Sequence, residues 1–453
     1  MSKNVAIIGA GITGLTMGFY LKKAGIPFTI FEKSNRVGGV IQTKQTAGFT
    51  YETGPNSGVL SNVEVLHLLD NLQETVKLEI GNESAKKRLI WKGNKWHALP
   101  SGLLSAINTP LFTFSDKLRV LGEPFRKKGT NPNENLAEMV KRRLGNSFLD
   151  YAIDPFISGI YAGDPEYLIP RFALPKLYQL EQDYGSFIKG AIKKAKLPKT
   201  PDEKRVTKAI FSFEGGLQSL TDVLYKIIGK EAVKCNQQDI KVTLTDKGYQ
   251  IDKQHFTNVI STVNAHYIPN LFPFLQTQET TAINQLKYAK VIEAGIGFKQ
   301  WNGMNINAFG GLVPMKEKRD ILGVLFMSSI FQNRAPKDGA LLTVFIGGTR
   351  REELTKLPEN QLKEILSKEL SQMLQIKDFN PDLFELNYYD KAIAQYGLDS
   401  EARLQAIENI EKKHPGLTLA GSIRDGVGIA DRIKQATQIV QHIIQSLANI
   451  SIM

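Results

Sequence analysis

The residues with the clearest chemical use stand near the start of the chain, in the stretch GAGITG (residues 9–14). Glycines at 9, 11 and 14 form the pattern G-x-G-x-x-G, and an acidic residue, Glu32, follows them. Gly9 permits a tight turn, Gly11 lets a pyrophosphate approach the backbone, and Gly14 allows a helix to pack against a strand. Glu32 can accept hydrogen bonds from a ribose diol. The combination predicts a dinucleotide site.

A second glycine-rich stretch, GSIRDGVGIAD (residues 421–431), lies near the other end of the chain. It follows the apolar run LTLA and precedes a helical pattern, RIKQATQIVQHIIQSL. A glycine turn between a strand and a helix often binds an anion at the helix N-terminus. The chain therefore has one such turn at each end.

The flanking residues supply the elements that must position the first turn. Val5–Ile8 is a short β-branched run typical of a buried parallel strand, and Phe28–Phe31 is a second one that ends next to Glu32. The segment between them carries Leu15 and Phe19 on one helical face. A strand, turn, helix and strand around the glycines make the dinucleotide prediction specific.

Composition narrows the class of protein. The chain has 453 residues, which favours two or three domains. Its single cysteine, Cys235, excludes an internal disulfide, and its six histidines lack metal-ligand spacing, so we predict no metal. The net charge of +12 is concentrated in residues 192–208, which are interpreted as a solvated linker, with attraction to an anionic ligand or membrane as the alternative. No aromatic and basic residues interleave, so nucleic-acid binding is not expected.

The segment after Glu32 carries a resemblance to a known group. KSNRVGGVIQT and GFTYETGPNSGVLS resemble the extended FAD fingerprint of the amine-oxidase-like flavoproteins, whereas ordinary hairpin turns are the alternative interpretation. In that group a C-terminal segment returns to the FAD domain and aims a helix N-terminus at the flavin. The resemblance implies that the two glycine turns bind the two ends of one FAD. The cofactor is expected to be non-covalent, since Cys235 lies far from the C-terminal helix in sequence.

Motifs between the two turns extend the resemblance over nearly the whole chain. In order they are WHALPSG (96–102), the stretch DPFISGIYAGDPEYLIPRFALPKLYQLEQDYGSFIKG (154–190), AFGGLVP (308–314), LGVLF (322–326), VFIGG (344–348) and AIAQY (392–396). On these motifs the chain is identified as a member of the oxygen-dependent protoporphyrinogen oxidase family, which includes the bacterial coproporphyrinogen III oxidases. Amine oxidases and desaturases share the FAD signatures but lack GIYAGD and AFGGLVP.

The resemblance implies the cofactor contacts residue by residue. They are Gly9, Gly11, Ile12, Thr13, Gly14, Glu32, Lys33, Gly39, Gly54, Pro55, Asn56, Ser57, Val233, Tyr389, Val427, Gly428 and Ile429. Val233 is expected to contact the adenine through its backbone. Tyr389 stands where family members usually have Trp, and Ala394 stands where they have Pro.

The same resemblance implies the substrate site. Arg88 matches an arginine that pairs with a propionate, which suits its planar fork. Phe309 and Leu312 match residues that sandwich the tetrapyrrole, Phe345 matches an apolar residue facing the ring, and Asn56 is expected to face the pocket. From the residues alone, Arg88 could equally be a surface arginine and the others core strand residues.

The predicted fold combines α/β and α+β architecture in three domains. Residues 1–80, 205–270 and 384–453 should form a discontinuous Rossmann-type FAD domain, and residues 81–100 and 271–383 an antiparallel-sheet substrate domain. Residues 101–204 should be mainly helical, and in the family this part meets the membrane. No uncharged apolar run reaches the ~18 residues that a spanning helix needs. We therefore expect a cytoplasmic protein, peripheral on the inner face of the membrane.

The function implied is oxidation of protoporphyrinogen IX to protoporphyrin IX in haem biosynthesis, with O2 as acceptor, six electrons removed and H2O2 produced. This chemistry needs no catalytic acid or nucleophile, and none is assigned. Oxidation of coproporphyrinogen III, which carries four propionates, is the alternative; the extra cations it needs would be Lys316 and Arg319, in a turn expected to face solvent. A non-catalytic porphyrin carrier is a remoter alternative. The next enzyme of the haem pathway is an expected transient partner.

Overall fold

The computed structural model describes residues 4–450. The strands in chain order are β1 (Val5–Ile8), β2 (Phe28–Phe31), β3 (Thr43–Thr46), β4 (Phe49–Glu52), β5 (Gly58–Val59), β6 (Leu78–Ile80), β7 (Arg88–Lys92), β8 (Lys95–Ala98), β9 (Ile210–Phe213), β10 (Val233–Lys234), β11 (Val242–Thr245), β12 (Gly248–Ile251), β13 (Gln254–Phe256), β14 (Asn258–Ser261), β15 (Tyr288–Phe298), β16 (Gly310–Leu312), β17 (Gly323–Phe326), β18 (Ala340–Gly347), β19 (Leu383–Ala394) and β20 (Leu417–Leu419). The outermost residues of the predicted FAD domain, 1–3 and 451–453, lie outside the described part.

Helices connect and cover these strands. In chain order they are α1 (Ile12–Lys23), α2 (Val63–Leu72), α3 (Leu103–Asn108), α4 (Phe114–Leu121), α5 (Leu136–Arg143), α6 (Asn146–Phe148), α7 (Asp154–Tyr161), α8 (Pro170–Ala173), α9 (Pro175–Tyr184), α10 (Phe187–Ala195), α11 (Pro201–Arg205), α12 (Gln218–Ile228), α13 (Ile268–Leu271), α14 (Thr277–Asn284), α15 (Met327–Ile330), α16 (Glu359–Leu374), α17 (Ser400–Lys413) and α18 (Ile429–Ile450). Within residues 4–450, no helix combines the length and apolarity needed to cross a membrane.

A parallel five-stranded sheet holds both glycine turns. Its order is β10–β2–β1–β14–β20, so strands from the beginning, middle and end of the chain pair side by side. Helices α1, α12 and α18 pack together over one face, because their apolar side chains share a core with β1. Parallel strands covered in this way are buried and apolar, as the run Val5–Ile8 is.

A seven-stranded sheet forms the second layer system, in the order β19–β15–β18–β17–β16–β7–β8. All its strand pairs are antiparallel except β16 and β7, which run parallel. Strand β7 comes from residues 81–100, far earlier in the chain than β16. The predicted domain boundary at residue 384 falls one residue inside β19, and this strand pairs with β15. The strand pairing therefore places residues 384–394 with the substrate-side sheet.

Alternation along the strands gives the seven-stranded sheet two different faces. Ile292, Ile296 and Val344 point to one side and pack with Leu366 of α16 in a closed apolar core. The residues between them, such as Glu293, Gly295 and Thr343, point to the other side. Gly295 on that side would bring a methyl group within 3.3 Å of the Tyr51 ring, so this second face meets the part of the chain that carries the FAD motifs. We call it the slot face.

Candidate active site

The first glycine turn requires glycine for a steric reason. Gly9 has φ +106°, a conformation that side chains rarely adopt, and its N–H donates to the Phe31 carbonyl oxygen at 2.8 Å. A methyl group at Gly14 would lie 2.0 Å from the Gly9 carbonyl oxygen. The helix can therefore start directly against the strand only because both positions lack a side chain.

Glu32 is fixed beside this turn. Its Oε2 accepts the backbone N–H of Ala10 at 2.7 Å, and its Oε1 accepts that of Ser34 at 2.9 Å. The carboxylate is buried at the end of β2, where the predicted ribose contact requires it. The neighbouring Lys33 donates instead to the Tyr267 hydroxyl at 2.6 Å, a contact that the sequence did not predict.

The predicted adenine contact lies on the edge strand β10. Val233 is buried and pairs with Ile30 of β2. Farther along, the Gln237 N–H donates to the Glu32 carbonyl oxygen at 2.9 Å, and Asn236 donates to Ser34 at the same distance. Residues 236–237 therefore lie closer to the acid than Val233 does, and no sequence pattern marks them.

Two further turns, around Gly39 and Gly54, continue from the first. A methyl group at Gly39 would lie 3.2 Å from the Cα atom of Gly11, and one at Gly54 would lie 2.0 Å from the Val40 carbonyl oxygen. The Tyr389 hydroxyl comes within 3.8 Å of the same point at Gly54. Val40 lies between these two turns, yet its apolar side chain is 59% exposed.

The second glycine turn meets the first at one residue. Thr262 follows β14. A methyl group at Gly9 would lie 2.5 Å from its hydroxyl oxygen, and one at Gly421 would lie 3.1 Å from its carbonyl oxygen. The turn is held from the other side by Tyr396, whose hydroxyl donates to the carbonyl oxygens of Ser422 and Gly426 at 2.9 and 3.1 Å. Helix α18 then begins at Ile429, directly after Val427 and Gly428 and three residues before the predicted helical pattern starts at Arg432.

These features fit FAD. The N-terminus of α1 has no side-chain cap and no acid in its first turn. Gly11 directly precedes it, and no other part of the described chain lies within 4 Å of the place where a Cβ atom of Gly11 would be. The helix N–H groups are thus available to a phosphate. Residues 9–14 with Glu32 would hold the adenosine diphosphate end, and the exposed Val40 with residues 54–57 and 427–429 would hold the flavin end. Bound FAD would supply two-electron redox chemistry.

Asn56, predicted for the pocket, belongs to a polar cluster on the slot face. Its Nδ2 donates to Glu293 Oε1 at 2.7 Å and to the Gly54 carbonyl oxygen at 3.0 Å, and its Oδ1 accepts the Thr343 hydroxyl at 2.9 Å. Burial, together with the charge of Glu52, raises the pKa of Glu293 well above its ordinary value. Burial raises the pKa of Glu52 to about 7. Glu293 and Thr343 are functional candidates that the sequence reasoning missed, because inside apolar strands they carry no motif.

The predicted substrate residues share the slot face. Phe345 pairs with Gly323, which in turn pairs with Leu312. The side chains of Phe345 and Leu312 are half-buried. Phe309 precedes β16, and the Arg88 guanidinium lies 5.7 Å from the centre of its ring. The structure thus brings all four residues onto one surface.

Charge is distributed unevenly around this surface. Arg88 is exposed and forms no ion pair with any carboxylate in residues 4–450. The alternative cations are paired: Lys316 lies 2.6 Å from Asp150, and Arg319 lies 2.7 Å from Glu369. In the described part of the chain, no group of His, Cys, Asp and Glu could hold a metal ion.

The fold and site define a flavin-dependent oxidoreductase. The profile of the flavin containing amine oxidoreductases matches residues 12–444, and the chain belongs to that family. The predicted family, the combined α/β and α+β fold and FAD as the cofactor are thereby confirmed.

Individual relatives place the chain more narrowly. Mitochondrial protoporphyrinogen oxidase of Nicotiana tabacum is 30% identical over 99% of this chain and 96% of that protein. Coproporphyrinogen III oxidase of Bacillus subtilis (strain 168) is 26% identical over 96% of each. Among solved structures, a candidate protoporphyrinogen oxidase from Exiguobacterium sp. 255-15 superposes with a TM-score of 0.79 at 23% identity, covering 98% of this chain and 99% of that one.

Replacement of Glu32 by Ala should weaken FAD binding by roughly 1–3 kcal/mol, because a charged acceptor of ribose hydroxyls is lost. The measurement is a fluorescence titration of apoprotein with FAD. Glu64→Ala, which removes an acid from the first turn of α2, is the matched control and should bind as the unaltered protein does. Since Glu32 also accepts two backbone N–H groups, the unfolding free energy of each apoprotein is measured in parallel. Equal FAD affinity in all three proteins would contradict the assigned role.

Proposed function

We propose that this protein is an FAD-dependent oxidase that converts protoporphyrinogen IX to protoporphyrin IX with O2 as acceptor. The observation that carries the proposal is the slot face, where Phe345, Leu312 and Phe309 lie on the same surface as Arg88, which forms no ion pair within the described residues. A flat macrocycle needs apolar side chains against its faces and a cation for its carboxylates. The names of the full-length relatives agree with this substrate class.

The chain's own contribution is position and environment. Arg88 would bind a propionate, and the apolar residues of the slot face would exclude water and orient the macrocycle. With FAD bound, the substrate would lose two electrons in each of three steps, six in all, and O2 would be reduced to H2O2. The bridging carbons of a porphyrinogen are already activated by the adjacent pyrroles, which is why alignment is the main requirement.

The number of free cations favours protoporphyrinogen over coproporphyrinogen III. The four propionates of coproporphyrinogen III would need cations on more than one side of the slot. The two propionates of protoporphyrinogen IX can be bound by cations on a single side. Lys316 and Arg319, the residues that could serve the larger number, are engaged with Asp150 and Glu369. Arg350, near the other end, is held by Asp154 at 2.5 Å.

The proposal is tested by offering both porphyrinogens in parallel at matched detergent and following porphyrin fluorescence. We expect the larger kcat/KM with protoporphyrinogen IX. A larger value with coproporphyrinogen III would overturn the substrate assignment. A flavin that stays oxidised when either porphyrinogen is added without O2 would overturn the oxidase assignment and leave a porphyrin carrier.

Arg88→Ala should raise KM roughly 10- to 100-fold and change kcat little, because a propionate anchor binds the ground and transition states alike. Arg88→Lys keeps the charge but loses the fork, so an intermediate KM is expected. Lys316→Ala, whose ammonium is paired with Asp150, is the matched control and should keep the original KM. A fall in kcat with constant KM would mean that Arg88 aligns the reacting carbon instead.

We further propose that the helical segment contacts the membrane surface. Its exposed apolar side chains project from consecutive elements: Leu104, Ile107, Phe114, Leu118, Leu121 and Phe125. Phe114 is 76% and Phe125 is 87% exposed, far more than isolated surface residues require. Lys189 lies over the Phe125 ring at 5.5 Å, so positive charge accompanies the patch. A peripheral contact of this kind combines apolar insertion with attraction to anionic lipid.

Flotation with vesicles of phosphatidylethanolamine and phosphatidylglycerol measures this contact. The double variant Phe114→Ser, Phe125→Ser should lose most of its vesicle-bound fraction, whereas Leu244→Ser, at an exposed leucine of β11, should not. Equal flotation of both variants and the unaltered protein would place any membrane contact elsewhere.

A further inference from the structure

Glu293 occupies an unusual position on the slot face. It lies in β15, directly opposite Phe345 of β18 on one side and Asn387 of β19 on the other. Paired residues on neighbouring strands have Cβ atoms about 4.5–5.5 Å apart, so the carboxyl group stands beside the ring expected to face the tetrapyrrole. Glu293 is only 3% exposed. A carboxyl group is therefore buried on the face that carries the predicted substrate residues.

The surrounding hydrogen bonds fix this carboxyl group without neutralising it. Both N–H bonds of the Asn56 amide are used, one toward Glu293 and one toward Gly54, and its oxygen is used by Thr343. Glu293 receives only this neutral donor; no cation of the described residues forms an ion pair with it. The Asn387 Nδ2, on the opposite strand, is buried and has no hydrogen-bond partner within residues 4–450. The cluster thus holds one buried donor without a partner among the described residues, on the strand next to Glu293.

The charged neighbours oppose ionisation of Glu293. From β4, Glu52 places a second carboxyl group nearby, and from β19 the Tyr389 hydroxyl adds a weak acid whose pKa is itself raised by burial and by Glu293. The guanidinium groups of Arg334 and Arg36 partly offset the rise in the pKa of Glu52 and of Tyr389, respectively, but do not reverse it. A carboxylate in this setting binds a proton more tightly than a solvated one does, and it is therefore the stronger base.

We propose that Glu293 is a catalytic residue, the acceptor of the pyrrole N–H proton, with Asn56 as its positioning residue. The inference rests on the oxidation proposed above. In each two-electron step the substrate gives up a hydride from a bridging carbon to the oxidant, FAD, and a proton from a pyrrole nitrogen. The N–H electron pair becomes part of the new conjugated double bond, and the proton forms an O–H bond with the Glu293 carboxylate. The carboxyl group then releases that proton to solvent before the next step. After three such steps a tautomerisation moves one proton from the last bridging methylene to a nitrogen, which gives the four methine bridges and two N–H groups of a porphyrin.

The spacing across the sheet is compatible with this role. From β7 to β15 there are four strand-to-strand steps, through β16, β17 and β18, or about 19 Å at ~4.8 Å each. Glu293 lies in the same cross-strand row as Phe345, Gly323 and Leu312, and Arg88 lies in the neighbouring row, opposite Gly310. A tetrapyrrole held at Arg88 by a propionate would then present its far pyrroles toward Glu293.

Glu293→Gln is the decisive variant, because glutamine has the same shape and can still accept the Asn56 hydrogen bond but cannot take a proton. We expect kcat to fall about 10²–10⁴-fold with KM nearly constant. A base must be deprotonated to act, so kcat of the unaltered protein should fall as the pH drops through the pKa of Glu293. That acid limb should be absent in Glu293→Gln.

The matched control is Glu385→Gln, the same change on the same sheet face, at a residue of β19 that is ion-paired with Lys44 at 2.5 Å. It should keep both the rate and the acid limb. Glu52→Gln should move the acid limb to lower pH, because the charge that raises the pKa of Glu293 is removed. An unshifted limb in Glu52→Gln would contradict the assignment of that limb to Glu293.

Infrared spectroscopy supplies a readout that does not depend on turnover. The difference spectrum between acid and alkaline pH should contain a protonated-carboxyl component that titrates with the acid limb, disappears in Glu293→Gln and persists in Glu385→Gln. FAD content and thermal midpoint are measured for every variant. Full activity and an unchanged limb in Glu293→Gln would overturn this inference alone, whereas absence of porphyrinogen oxidation in the unaltered protein would overturn the proposed function.

Discussion

The structure depends on the position of β14, the strand that separates the two ends of the chain. Because β14 pairs in parallel with β1 on one side and β20 on the other, the turns that follow those strands must emerge at the same edge of the sheet. Thr262, the residue after β14, then contacts both Gly9 and Gly421. Neither turn tolerates a side chain there, so the two halves of the cofactor site are fixed relative to each other by one threonine.

The second constraint is the two-sided sheet that faces this edge. One face is closed by α16 and contributes stability through apolar packing. The other face is left to bind ligand. Glycines on it, such as Gly295 and Gly297, leave room for Tyr51 and Phe49 from the part of the chain that carries the FAD motifs. A single sheet thereby separates the stabilising core from the functional surface, and a change on one side need not disturb the other.

The elements that could be predicted from the sequence are those specified by residues close together in the chain. The strand Val5–Ile8 lies where the local pattern predicts, and helix α18 contains the predicted helical pattern of residues 432–447 but begins three residues earlier, at Ile429. Sequence reasoning could not find Glu293, because a glutamate in an apolar strand is distinguished only by what packs on it from Asn56, far away in the chain. The parallel pairing of β16 with β7 is equally a product of long-range assembly.

The buried acids have a consequence for stability that follows from the same physics. Glu52 accepts the Thr43 hydroxyl and the Leu217 N–H, yet burial still raises its pKa to about 7 from 4.5. A folded-state pKa above the unfolded value means that the native state binds the proton more tightly. Its contribution to stability is therefore complete below about pH 4.5 and is lost as the pH rises to about 7, a difference of about 3 kcal/mol. Glu293, with its pKa raised in the same direction, adds to the effect. Because two apolar residues of similar size would not incur this loss at neutral pH, the carboxyl pair is better explained by chemistry at the slot than by folding.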